Sequence, residues 1–167
     1  ISEYGTQSLI NTAWSFARLV VPDRPLIKAI SAEALPKLDY FIPQEISNTA
    51  WSLAVLLLRN EPLLDSLASE ARKKIDSLST QDISNTVWSY AKLHIRDAPL
   101  LASLSSAAIA KMSAFDQQGL SNTFWACAEI GWQHSPLFDA IAAAAIPKIT
   151  EFEFQGLANT AWAVATL

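Results

Sequence analysis

Between Gln81 and His94 the apolar positions Ile83, Val87, Tyr90 and Ala91 fall on one face of a helix at 100° per residue. Leu9, Ala13, Phe16 and Ala17 do the same earlier in the chain. The opposite side carries Asp82, Asn85, Ser89 and Lys92, with Trp88 at its edge and Thr86 on the flank of the apolar face. Ser79 or Thr80 stands where an N-cap belongs, and Asp82 lies in the first turn, where the helix dipole favours a negative charge. Thr6 and Asp116 hold the equivalent capping position elsewhere, and Pro43 sits in an early turn that tolerates it. After the short turn from His94 to Pro99, a second apolar column follows at Leu100, Leu101, Leu104, Ala108 and Met112. The pattern predicts a hairpin of two helices, each of about 13 residues and about 20 Å long at ~1.5 Å per residue.

The hairpin recurs. Asn-Thr-x-Trp stands with its Asn at positions 11, 48, 85, 122 and 159, a step of 37 residues throughout. Pro25, Pro62, Pro99 and Pro136, each followed by Leu, open the second helix of successive units. A proline there loses no hydrogen bond. Pro36 and Pro147 fall near the ends of two second helices and predict that these stop or kink early. The period divides residues 1–167 into one array with units 3–39, 40–76, 77–113, 114–150 and a partial unit 151–167. Periods of this length belong to stacked arrays in which each unit buries its apolar face on its neighbours. The expected fold is an all-α solenoid of helix-turn-helix repeats. The missing initial methionine and the stop inside a unit give the expectation that the chain is a fragment of a longer protein.

Composition sharpens this picture in three places. Only 4 glycines occur, and 51% of residues are hydrophobic, as in packed helices joined by short turns. The single cysteine, Cys127, has no partner for an internal disulfide and shares a core column with Phe16, Leu53, Tyr90 and Val164. The formal net charge of -4 has the wrong sign for the usual electrostatic footprint of a nucleic-acid-binding domain. No apolar run approaches the length of a bilayer span, so a membrane-spanning role is not expected. Metal-ligand spacings, a glycine-rich phosphate loop and a nucleophile elbow do not occur. No enzymatic activity, cofactor, metal or small-molecule substrate is expected.

The columns divide into fixed and variable. Gln (7, 44, 81, 118, 155), Asn, Thr, Trp and Ala (17, 54, 91, 128, 165) are identical in every unit. A fixed column cannot read a varying ligand sequence; it holds units together or touches something periodic, such as a ligand backbone. For Asn the two roles are an inter-unit amide ladder and a backbone contact. For Trp they are packing between first helices and a stacking platform. Thr is expected to bond back to its own helix. Lys37, Lys74, Lys111 and Lys148 end the second helices, where a cation either complements the dipole or contacts phosphate. Selectivity falls to the variable neighbours of the fixed columns. The candidate binding residues are therefore Ser8, Asn11, Arg18, Glu45, Asn48, Asp82, Asn85, Lys92, Asn122, Glu129 and Asn159.

The unit Q-x-[LI]-[SAI]-N-T-x-W-[SA]-x-A-x-[LI], followed by a turn and Pro-Leu, resembles the octotricopeptide repeat family and its 37-residue heptatricopeptide relatives over the whole chain. The resemblance implies a right-handed α-solenoid in an organelle, mitochondrion or plastid, that binds single-stranded RNA and acts in its processing, stability or translation. It further implies that first helices line a concave face bearing the Asn column. The competing expectation is a protein-interaction scaffold, or a structural subunit of an organellar complex, whose Asn and Trp columns grip an extended peptide. Charge on the open face separates the two. Convergence there of Arg18, Lys37, Lys74, Lys92, Lys111 and Lys148 favours RNA, whereas Asp and Glu favour the scaffold.

Overall fold

The computed structural model describes residues 5–166; Glu3, Tyr4 and Leu167, which the sequence assigns to the first and last units, lie outside them. All regular structure in this span is helical. The α-helices are α1 (Thr6–Arg18), α2 (Arg24–Ala34), α3 (Pro43–Val55), α4 (Glu61–Lys73), α5 (Thr80–Lys92), α6 (Ala98–Ala110), α7 (Gln117–Glu129), α8 (Ser135–Ala145) and α9 (Phe154–Thr166). The odd-numbered first helices start at residues 6, 43, 80, 117 and 154, each holding one Asn-Thr-x-Trp. A 3-10 turn follows each second helix. Its length obeys proline: α2 and α8 stop before Pro36 and Pro147 and continue as six-residue 3-10 turns, whereas α4 and α6 run two residues longer.

Each boundary has a local cause. Ser79 and Asp82 cap α5 reciprocally, Ser79 Oγ accepting from Asp82 N at 3.1 Å and Asp82 Oδ2 from Ser79 N at 3.0 Å. Asp116 caps α7 by accepting from Gly119 N at 2.7 Å. Thr6 does not cap α1 as expected: it is the first helical residue, behind Gly5, and its hydroxyl reaches the next unit instead. The second helices are capped by a column overlooked in the sequence, Asp23, Asn60, Asp97 and His134, whose side chains accept from the N–H of Leu26, Leu63, Leu100 and Leu137. First helices end in a left-handed residue, Val20, Leu57, His94 and Gly131, with φ between 52° and 62°. Val21 N–H bonding Phe16 O and Val20 N–H bonding Ala17 O complete a Schellman closure, which the later units repeat.

Successive first helices lie side by side along most of their length, while successive second helices touch over a short stretch. The first helices thus form the more tightly packed of the two layers. Small buried side chains make the tightness possible: Ser47, Thr49, Ser52 and Ala54 in α3, and Ser84, Thr86, Ser89 and Ala91 in α5. Their hydroxyls do not pull water in. Thr49 and Thr86 donate to Glu45 O and Asp82 O, and Ser52 and Ser89 donate to Asn48 O and Asn85 O, all at 2.6–2.7 Å. The core is one cluster running from Leu9 to Ala163, with Tyr90, Phe41 and Phe115 its largest fully buried side chains.

Candidate binding face

A first helix is packed on three sides, by its own second helix and by both neighbouring first helices. The side opposite the apolar face is therefore not one solvated surface. Asp82 and Ser89, expected there, are buried at 8% and 0% exposure between helices. The stripe left open is Gln81, Asn85, Trp88 and Lys92, repeated as Gln44, Asn48, Trp51 and Val55 and as Gln118, Asn122, Trp125 and Glu129. The Gln column was absent from the candidate residues. Its signal was its identity in all units, four residues before Asn.

The candidates accordingly separate into two groups. Glu45 and Asp82 are tied into the joints: Thr6 Oγ1 donates to Glu45 Oε1 at 2.9 Å, and Ser47 Oγ donates to Asp82 Oδ1 at 2.6 Å. Both bonds join N-terminal turns, so neighbouring first helices run parallel. Ser8, Asn11, Arg18 and Lys92 are exposed, and Asn48, Asn85, Asn122, Asn159 and Glu129 are half-buried on the open side. Arg18 lies over the Trp14 ring at 5.5 Å, and Glu129 comes within 3.6 Å of His94 Nδ1.

The amide ladder expected between units does not form. Among the described residues, no side chain of Asn11, Asn48, Asn85, Asn122 or Asn159 makes a hydrogen bond, and neither do those of the Gln column. The joints are made by Ser, Thr and carboxylates one helical position away, which leaves the amides facing outward. Thr behaves as expected in four units, with Thr123 the exception: its buried hydroxyl has no partner. Trp14 packs on Trp51 and Trp125 on Trp162, with ring centroids 6.4 Å apart and planes tilted 36° and 38°.

The lysine column has a role that neither expectation named. Lys74 Nζ donates to Asp39 O and Phe41 O at 2.9 and 2.7 Å, and Lys111 Nζ to Asp76 O and Leu78 O at 2.8 and 2.5 Å. Lys148 Nζ donates to Phe115 O at 2.7 Å. Each ammonium thus reaches back along its own unit and clamps the backbone entering that unit's first helix. Lys37 pairs with Glu33 at 2.8 Å. The basic residues do not converge on the open face, where Arg18 and Lys92 stand against Glu129.

Three clefts of one design open between adjacent first helices, near their N-terminal ends. They lie between α1 and α3, α5 and α7, and α7 and α9, with volumes of about 410, 390 and 200 Å³. Each is walled by Gln and Asn from both helices. Among the described residues no lysine or arginine lines any of them, and each includes a carboxylate: Glu45 in the first, Asp116 in the second, Asp116 and Glu153 in the third. Their walls offer hydrogen-bond donors and acceptors and, among the described residues, no lysine or arginine to pair with a phosphate.

Burial pushes the Cys127 thiol up to about 12, as befits its core column. Among the described residues no cluster of His, Cys, Asp or Glu has the grouping of a metal site, and no helix is long and apolar enough to cross a membrane.

No curated protein matches the chain. In the Asn-Thr-x-Trp-x-x-Ala signature, which suggested octotricopeptide or heptatricopeptide repeats, Thr and Ala belong to the small buried set that parallel helices need to pack closely, so they do not discriminate among helical arrays. A model for the family described as RESC6, RNA-editing substrate-binding complex 6 protein, matches residues 3–167; this overturns the octotricopeptide and heptatricopeptide assignment, and the chain belongs to the RESC6 family.

Proposed function

We propose that the protein is a scaffold subunit of an RNA-editing substrate-binding complex, acting in the mitochondrion, and that its array of 37-residue repeats forms a right-handed solenoid holding protein partners. The family description supports membership of such a complex. The plastid alternative rested on the overturned resemblance and falls with it. The observation that carries the scaffold reading is the fate of the lysines: Lys74, Lys111 and Lys148 are consumed in bonds to backbone carbonyls at the starts of first helices, and the clefts of the open face carry carboxylates with no lysine or arginine among their described lining residues. A face of this kind lacks the counterion-releasing contacts that supply most of the affinity for nucleic acid.

A second reading, direct binding of single-stranded RNA, has one observation in its favour: the half-open tryptophans, with Arg18 over Trp14, could stack bases. A salt series separates the two. Full-length protein is titrated with organellar transcripts at rising salt, and its association with the other subunits is followed in parallel. The scaffold reading expects subunit association to persist while RNA binding by the isolated protein is weak and changes little with salt. Tight RNA binding that falls steeply as salt rises, without subunit association, overturns it.

A further inference from the structure

We infer that the clefts between successive first helices form a track for one extended polypeptide segment of a protein partner, gripped through its main chain by the Gln and Asn side chains. The inference rests on the scaffold reading and specifies its contact surface. The clefts present four or five primary amides each, such as Gln81, Asn85, Gln118 and Asn122 between α5 and α7, none with a side-chain hydrogen-bond partner among the described residues. A side-chain amide offers one acceptor and two donors, the complement of a peptide unit's N–H and C=O. Unspent amides held at a fixed interval match a ligand whose own hydrogen-bonding groups repeat regardless of sequence. A polypeptide main chain has that property and carries no charge.

RNA fits the same surface poorly for two reasons. The clefts lack lysine and arginine among their described lining residues and hold carboxylates, so a phosphate there is repelled. The paired tryptophans, Trp14 with Trp51 and Trp125 with Trp162, also touch each other with planes tilted by 36° and 38°, which leaves no parallel slot for a base between the rings of a pair. The acidic rim at Asp116 and Glu153 selects neutral or basic segments. Between α3 and α5 the Ser47–Asp82 hydrogen bond spans the joint.

The test uses the full-length protein, a library of unstructured 12-residue peptides weighted toward neutral and basic sequences, and oligouridine and oligoadenine as RNA probes. The best peptides are measured by fluorescence anisotropy against wild type and the N85A/N122A variant, and again with their backbone amides N-methylated. The expected result is at least about a tenfold loss of affinity for the variant, a similar loss on N-methylation, and no competition by either RNA. The side chains of Asn85 and Asn122 make no hydrogen bond within the described chain, and alanine is the better helix former, so the melting temperature of the variant should hold or rise. Absence of any peptide binder, unchanged affinity in N85A/N122A, indifference to N-methylation, or displacement of peptide by RNA each overturns the track. Co-purification of wild type and variant with the other complex subunits is read separately. Association retained by both while the peptide results fail sinks the track alone, and loss of association by wild type sinks the scaffold reading.

Discussion

Thr123 and Val20 show how individual residues depart from the pattern their neighbours keep. In four units the threonine hydroxyl is spent on its own helix, but Thr123 Oγ1 is buried without a partner. Leaving such a group desolvated costs free energy that an apolar isostere does not. Thr123→Val should therefore stabilise the protein by about 1 kcal/mol in urea denaturation, whereas Thr86→Val, which forfeits the bond to Asp82 O, should destabilise it. Val20 is a β-branched residue at φ 54°, where the fourth unit has Gly131 at 62°. It is 67% exposed, so truncation loses little packing. Val20→Gly should stabilise by about 1 kcal/mol and raise the melting temperature by roughly 2–4 °C, read by calorimetry. The open stripe was hidden from sequence reasoning at this same scale. Hydrophobic periodicity assigns a helix two faces, and Asp82 and Asn85 look alike to it. Only the second neighbour decides that one is clamped and the other free.

Among the elements, the helix pairs and the proline stops were legible because each rests on local chemistry: amphipathic spacing, a missing N–H, a capping side chain. What was not legible is the joint. The lysines ending the second helices look like ordinary complements to a helix dipole, and their acceptors are backbone carbonyls 33 and 35 residues earlier, which no side-chain pattern announces. Buried Phe41, Leu78 and Phe115 stand one residue before the caps of α3, α5 and α7, at the staple position, and the clamped carbonyls include theirs. Lys111→Met keeps the aliphatic stem and removes both bonds. It should cost about 1.5–3 kcal/mol, with faster hydrogen exchange confined to the turn from Ile75 to Leu78 and the start of α5. Protection lost evenly across the array would show that the clamp is not local.

For the whole molecule, the buried thiol offers a probe of global opening. Cys127 sits in the continuous core, and its acidity is lowered by burial from 9.0 to about 12. The folded state thus keeps its proton where the unfolded chain releases it. Stability from this group is complete below pH 9 and declines as pH rises toward about 12. Thiol labelling of native protein should accordingly track unfolding, becoming rapid only in denaturant; rapid labelling under native conditions would place α7 outside the cooperative core. The backward reach of the lysines also has a direction. Lys111 secures the entry to α5, and Lys148 the entry to α7, so a unit is locked only after the second helix belonging to it has been made. On a ribosome the chain emerges from its N-terminus, and the latch for each first helix arrives 33 residues behind the carbonyl it closes. The array is built like a zip fastener whose slider trails the teeth by one tooth, so its newest unit is always the one still open.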